Sequence, residues 1–352
     1  MYGLVLEGGG AKGAYHIGAY FALKELGYEF EAVVGTSIGA INGAMIVQGD
    51  VDKCVSLWNS MSMEEFYQDD DATKEIKEIE TDNDFDLISK MKEIVDRFAN
   101  FGISPTPLKE LVNNYISEEK IRNSKIKYGL VAINLSDRCA LEVFTDEIKE
   151  GELKNLIIGS CYLPAFKREL IGGKYYLDGG FFNNTPYNMV QKLGLKPIII
   201  RLHPRGINNF PENAIVIEPR ERLVKALDFD PKHSNELMRL GYFDTIKTIN
   251  GLLGDKYYIK PFGEEVAFKI LKKFYLSKIN ELKISEKFSN LINSKKIFEE
   301  FIPKFAEEVG LKTDFTYETL LIKLVEREAI KKNVDRLKVY EIGELYREIL
   351  WI

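Results

Sequence analysis

The residues whose types and spacing most directly suggest covalent chemistry are Gly35-Thr36-Ser37-Ile38-Gly39. This G-x-S-x-G pentapeptide lies between an apolar run ending at Thr36 and a run of small residues opening at Ile38. A strand-to-helix turn this sharp holds a serine hydroxyl clear of the backbone, in a strained conformation that neighbouring glycines tolerate. Ser37 would then stand at a helix N-terminus, whose positive end favours a developing anion. Ala40 and Gly43 would let that helix pack close to the strand. The chemistry suggested is attack of a hydroxyl on a carbonyl; the alternative is an ordinary strand–helix turn with a capping serine.

Two further segments could complete such a site. Gly8-Gly9-Gly10-Ala11-Lys12-Gly13 follows the first apolar run, and a loop of this kind exposes backbone N–H groups to a phosphate or an oxyanion. Gly8, Gly10 and Gly13 also satisfy the dinucleotide spacing G-x-G-x-x-G. A Rossmann unit, however, needs an acidic residue ending the second strand, and that strand ends here in Gly35-Thr36-Ser37. A Walker loop is excluded because Gly13, not Ser or Thr, follows Lys12. Asp178-Gly179-Gly180 is an acid flanked by glycines at the end of a short strand, a turn aspartate or a base. The three histidines are His16, inside the first helix, His203, after a strand, and His233, read as lying in a polar loop after Pro231. The order Ser37, Asp178, His203 would fit a triad, yet an α/β-hydrolase places several strands before its elbow, and here the elbow follows the second.

The elements that must position these residues read as an alternation. Tyr2 to Glu7 is a strand, Gly13 to Leu26 a helix capped by Gly27, and Ala32 to Thr36 a strand running into a helix near Ile38. Thr106-Pro107 opens another helix. Tyr128 to Leu135 and Leu141 to Thr145 read as paired strands, and Leu170 to Asp178 as a hairpin around Gly172-Gly173. A helix near Tyr187 to Leu193 leads to the strand Pro197 to Leu202. The expected fold is α/β, with a mostly parallel central sheet flanked by helices and a helical C-terminal region. The expected division is a catalytic domain over 1–254, with a helical insertion at about 51–100, and a helical region over 255–352. The acidic stretch from Asp69 to Asp86 reads as a solvated cover rather than a cation site.

Composition narrows the function classes. Apolar residues at 45% and charged residues at 29% are ordinary for a globular chain of 352 residues. A formal net charge of −6 gives no footprint for nucleic acid. Cys54, Cys139 and Cys161 form no metal-binding or disulfide pattern, so no metal and no cofactor are expected. No run approaches the ~18 apolar residues of a membrane span, and the start lacks a leader's pattern. A cytoplasmic protein is expected, and peripheral contact with a membrane is compatible with it.

In this order, the glycine loop, Gly35-x-Ser37-x-Gly39 and Asp178-Gly179-Gly180 resemble the patatin-like phospholipase family. Ser160-Cys161-Tyr162-Leu163-Pro164 is similar to that family's Ser-x-x-x-Pro element. The resemblance covers roughly residues 1 to 205. Glu7 stands where the family commonly has Asp, and Lys12 where Arg or Lys both occur. The resemblance implies a dyad in which Ser37 is the nucleophile and Asp178 its base, with the amides of Gly8, Gly9, Gly10 and Ile38 as oxyanion donors. Lys12 would contact the substrate or its anionic group. An exposed aspartate, with a pKa near ~3.9, is a poor base for an alcohol, so the dyad requires a confined site. The implied substrate is a phospholipid or other acyl-ester lipid. A non-catalytic lipid- or nucleotide-binding module and an acyltransferase are the alternatives.

Overall fold

The computed structural model describes residues 1–62, 103–203, 209–281, 301–312 and 314–351. They gather into two compact units, Met1–Thr245 and Ile246–Ile352. The acidic stretch from Asp69 to Asp86, and with it most of the expected insertion, lies outside the described residues.

The first unit contains the strands β1 (Tyr2–Leu6), β2 (Phe30–Thr36), β3 (Lys127–Asn134), β4 (Cys139–Phe144), β5 (Tyr176–Asp178), β6 (Lys196–Ile200) and β7 (Ile215–Ile217). Its helices are α1 (Ala14–Glu25), α2 (Ile38–Val47), α3 (Val51–Ser60), α4 (Thr106–Tyr115), α5 (Glu118–Arg122), α6 (Leu153–Ser160) and α7 (Tyr187–Lys192), and α8 (Pro231–Asn250) begins in it. The strand order is β4-β3-β2-β1-β6-β7. Neighbours among β3, β2, β1, β6 and β7 are parallel, while β4 and, off this path, β5 run antiparallel to β3. The fold is therefore the mostly parallel, helix-flanked sheet expected from the alternation of elements. The central strands are buried on both faces, which is why YGLVL, FEAVVGT and KPIII are nearly continuous apolar runs.

β5 has an unusual place. β3 pairs with β2 from Lys127 to Val131 and with β5 from Ala132 to Asn134, while β4 occupies the opposite edge of β3 along Gly129 to Asn134. β2 and β5 therefore lie end to end on one edge of β3 and run toward each other. The last residue of β2, Thr36, sits opposite Val131, and the last of β5, Asp178, sits opposite Ala132. The expected hairpin is smaller than its sequence suggested. Ile171 and Lys174 form a single bridge across Gly172-Gly173, and the arm beyond it takes β3 as its ladder partner.

α2 is buried along its whole length, so IGAINGAMIV offers mostly small and apolar side chains and one amide, Asn42. That amide is satisfied on every side. Asn42 Nδ2 donates to the Gly13 carbonyl at 2.9 Å and to His16 Nδ1 at 3.3 Å. Asn42 Oδ1 accepts from Trp58 Nε1 at 3.1 Å and from the Cys54 thiol at 3.5 Å. One side chain thus ties α2 to the start of α1 and to α3.

The second unit is built from α9 (Glu264–Glu281), α10 (Ile302–Glu308), α11 (Tyr317–Lys331) and α12 (Ile342–Trp351), with a short parallel pair, β8 (Tyr258–Ile259) and β9 (Val339–Tyr340). It has its own apolar core, including Leu271, Phe274, Phe305, Leu320, Leu324 and Leu345. Glu326 is buried there, and one of its oxygens accepts the N–H groups of Asp255, Lys256 and Tyr257, each at 2.8 Å. No helix among the described residues is long and apolar enough to cross a membrane.

The Asn42 network yields a stability prediction. Asn42→Ala removes the acceptor of the buried Trp58 N–H and leaves a cavity, and is expected to lower unfolding stability by about 2–4 kcal/mol. Urea denaturation of the two proteins measures the difference, and a loss within error of zero contradicts the assignment.

Candidate active site

The site begins with backbone geometry. Ser37 has φ 55° and ψ −127°, a positive φ that a side-chain-bearing residue rarely adopts. Three interactions hold it there. The Ser37 N–H donates to Ser160 Oγ at 2.9 Å, the Ser37 carbonyl accepts from Ala40 N at 2.8 Å, and Thr36 Oγ1 donates to the Asn183 carbonyl at 2.8 Å. The elbow glycines are required by space. A Cβ on Gly35 would strike the Gly39 carbonyl, and one on Gly39 would strike the Leu6 carbonyl at the end of β1. Small residues at these two positions let α2 start directly above the strands.

Because β2 and β5 run head to head, Ser37 and Asp178 meet. Ser37 Oγ donates to Asp178 Oδ2 at 2.6 Å. Asp178 is only 3% exposed, its other oxygen accepts the Gly180 N–H at 2.7 Å, and its own N–H donates to the Tyr162 carbonyl at 2.8 Å. The neighbouring Cys161 thiol is pushed well above its ordinary range by burial and then by the Asp178 charge, which leaves it a neutral thiol beside the pair. A charge-assisted contact of this kind orients a hydroxyl and offers a route for its proton.

The glycine loop lies next to it. Gly10–Gly13 forms one short 3-10 turn between β1 and α1, with Gly10 at φ +57° and Lys12 half-buried within the turn. Of the four amides expected to serve an oxyanion, that of Gly8 is spent inside the protein, donating to the Asn184 carbonyl at 3.1 Å. Ala11 N similarly donates to the Ala226 carbonyl at 2.7 Å. No acceptor among the described residues takes the amides of Gly9, Gly10 or Ile38, and Ile38 opens α2. Asn184 Nδ2 also donates to the Gly8 carbonyl at 3.2 Å, tying the loop to the segment that follows Asp178.

The His203 ring lies against Gly9 of the glycine loop. Buried Glu7, at the end of β1, accepts the Leu202 N–H, the His203 N–H at 3.2 Å and Thr185 Oγ1 at 3.2 Å, and its Oε2 is 3.4 Å from His203 Nδ1. His203 is thus held on Glu7, and the group that the Ser37 hydroxyl meets is a carboxylate. His233 falls in the first turn of α8, which Pro231 opens, rather than in a loop, with Nδ1 3.2 Å from Asp228. His16 is fully buried in α1. Burial, and then nearby His203, lower its pKa from 6.5 to about 3. Among the described residues no group of His, Cys, Asp and Glu could hold a metal ion.

Two polar residues that support the site carried no role from sequence. Ser160 was visible as the start of a motif, but its function as clamp on the Ser37 amide depends on where α6 ends. Asn184 had no distinguishing spacing; its pairing with Gly8 appears only once the chain after Asp178 turns back toward β1.

Strands, elbow and acid come together at one end of a mostly parallel α/β sheet, and the comparisons with known proteins show the family. The family model for patatin-like phospholipases matches residues 4–190, more than half of the 352 residues. The chain belongs to the patatin-like phospholipase family, whose members are lipid hydrolases. It is 25% identical over 199 residues to patatin-like phospholipase domain-containing protein 7 of Rattus norvegicus, covering 56% of this chain and 13% of that protein. It is 28% identical over 204 residues to neuropathy target esterase sws of Drosophila melanogaster, covering 56% of this chain and 12% of that one. The chain therefore spans about an eighth of the length of these relatives. Among solved structures it is similar to VipD from Legionella pneumophila, with a TM-score of 0.44 and 14% identity over 95% of this chain and 81% of that one.

His16 supplies a pH prediction. With a folded pKa of about 3 against 6.5 unfolded, the unfolded chain binds the extra proton between those values. Stability is therefore complete above about pH 6.5 and falls as pH drops toward 3, by roughly 1.4 kcal/mol per unit. His16→Gln is expected to flatten that slope in urea melts at pH 4.5, 5.5 and 7. An unchanged slope contradicts a neutral, buried His16.

Proposed function

We propose that this chain is a serine lipid acyl-hydrolase that cleaves carboxylic esters through Ser37 and Asp178 and an acyl-enzyme. The observation that carries the reading is the 2.6 Å hydrogen bond from Ser37 Oγ to Asp178 Oδ2 at the start of α2. The names of the matched relatives, a phospholipase-domain protein and an esterase, support the same class.

In the proposed reaction the proton of Ser37 Oγ passes to Asp178 Oδ2 as the oxygen attacks the acyl carbonyl. The carbonyl oxygen becomes an oxyanion held by the amides of Gly9, Gly10 and Ile38, each such donor contributing about 3 kcal/mol, with the positive end of α2 adding to the field. Collapse breaks the ester bond, and the leaving alkoxide takes the proton from Asp178. Water then repeats the sequence on the acyl-enzyme with Asp178 again as base, releasing the carboxylic acid. The Gly180 N–H holds the second Asp178 oxygen, so that Oδ2 stays directed at Ser37 throughout. Gly8 contributes by position rather than by donation, since its amide anchors the loop to Asn184. In this reading Lys12, in the turn beside these amides, meets an anionic part of the substrate.

Turnover of a p-nitrophenyl acyl ester and of phospholipid vesicles tests the reading. Ser37→Ala and Asp178→Asn are each expected to lower kcat/KM by roughly 10³-fold or more. His203→Ala is expected to lose far less than the roughly 10²-fold that removal of a general base costs. Chelation of divalent cations is expected to leave the rate unchanged. Full activity in either dyad variant sinks the proposal, and collapse in His203→Ala replaces the dyad with a triad.

A further inference from the structure

On the sheet face that packs against α7, side chains alternate into an apolar core made by Val5, Val34, Val131, Phe144 and Met189. That core stops at Val131, although β3 continues. Ile133 lies opposite Leu177 of β5, and the Leu135 N–H bonds the Tyr175 carbonyl, which puts Leu135 opposite Tyr175. On the other side of Tyr175 the Ile171–Lys174 bridge sets Leu170 opposite Tyr175. Opposed residues of antiparallel strands project to the same face. Leu135, Tyr175 and Leu170 therefore stand in one row across three chain segments.

This row is not covered. Leu135 is 44% exposed, Tyr175 43% and Leu170 55%, and Phe182, just past the Asp178 turn, is 57%. Asn183, next to Phe182, bonds Glu142 of β4, which lies opposite Val131. The row stands three residues beyond Ala132, the partner of Asp178, about 10 Å further along β3 at the strand rise. It forms a rim at the end of the sheet where Ser37 and Asp178 meet.

Cations outnumber acids beside it. Arg138, Lys167 and Arg168 are exposed, and no acid among the described residues pairs with them. Of the nearby acids, Asp137 pairs with Lys174, Glu169 with Lys109 and Glu142 with Lys192, while Glu152, beside Gly172 of the hairpin turn, accepts from Asn155 Nδ2. In a chain of formal net charge −6, this is a local reversal. Long cationic side chains beside exposed leucines, phenylalanine and tyrosine suit an interface whose surface is anionic and whose interior is apolar.

We propose that Leu135, Leu170, Tyr175 and Phe182, with Arg138, Lys167 and Arg168, form the surface by which this protein docks on an anionic lipid bilayer. This rests on the lipid-ester reading of the site and adds to it the physical form of the substrate, a membrane rather than dissolved monomers. Apolar side chains enter the headgroup boundary while the cations meet lipid phosphate.

Docking and chemistry can be separated. Full-length Ser37→Ala protein, which cannot turn over, is sedimented with vesicles of phosphatidylcholine alone and of phosphatidylcholine mixed with phosphatidylglycerol. Binding is expected to the mixed vesicles, to fall with salt, and to weaken roughly tenfold or more when Leu135, Leu170 and Tyr175 are all changed to Thr. Each of Arg138→Gln, Lys167→Gln and Arg168→Gln is expected to cost roughly fivefold. With Ser37 intact, the threonine variant is expected to keep the wild-type rate on a dissolved short-chain p-nitrophenyl ester and to lose rate on vesicles. Circular dichroism checks that it is folded, and single threonine substitutions replace it if it is not. Equal binding by the variants, indifference to vesicle charge, or a dimer in gel filtration that uses these residues with no vesicle binding would overturn the proposal. A wild type that binds vesicles but hydrolyses neither ester defeats the hydrolase reading and leaves the docking surface standing.

Discussion

The structure depends on two strands that share one edge of a third and point at each other. β2 holds β3 up to Val131 and β5 takes over from Ala132, so their ends are brought within reach by the ladder of β3 itself. Backbone hydrogen bonds, the least adjustable contacts in the molecule, thereby set the spacing of Ser37 and Asp178. Residues separated by 141 positions in sequence become hydrogen-bonded with no long side chain reaching across a gap. Such placement keeps reacting groups within tight tolerance, which loops alone do poorly.

The same geometry has a cost that the surroundings offset. A serine at positive φ stores on the order of 1–3 kcal/mol, and an acid buried beside it loses its hydration. Ser160 accepts the strained amide, Gly180 donates to the acid, and Asn42 fastens the helix behind the elbow to the helix behind the glycine loop. The strained turn and the acid are thus each held by more than one contact, so the turn cannot relax by letting one of them go. His16 belongs to this frame rather than to the chemistry. It is neutral, it accepts from Asn42, and among the described residues its remaining nitrogen Nε2 meets no hydrogen-bond partner.

Much of this frame was legible in the residues. Apolar runs marked β1, β2 and β6 as strands, and the glycines around Ser37 marked a sharp turn. Local signals of that kind survive folding because they reflect sterics within a few residues. Pairing choices do not. Nothing in Tyr175 to Leu177 says that the arm will leave its hairpin and extend the line of β2, since any short apolar arm can join either neighbour. The Gly8 amide looked as available as those of Gly9 and Gly10, and only the return of the chain at Asn184 distinguishes it. His233 was misread because Pro231, taken as a break, opens α8, where a proline loses no hydrogen bond. The apolar row at the rim was equally hidden, because Leu135, Leu170 and Tyr175 become neighbours only through strand register.

If the head-to-head strands create an activated hydroxyl, that hydroxyl should be singled out by a reagent that needs activation but no particular lipid. Incubation with a fluorophosphonate followed by peptide mass spectrometry measures this directly. The account predicts a single phosphonylated residue, Ser37, with a labelling rate that falls by roughly 10²-fold or more in Asp178→Asn. Labelling at another serine, or at Ser37 with the same rate in both proteins, would contradict it.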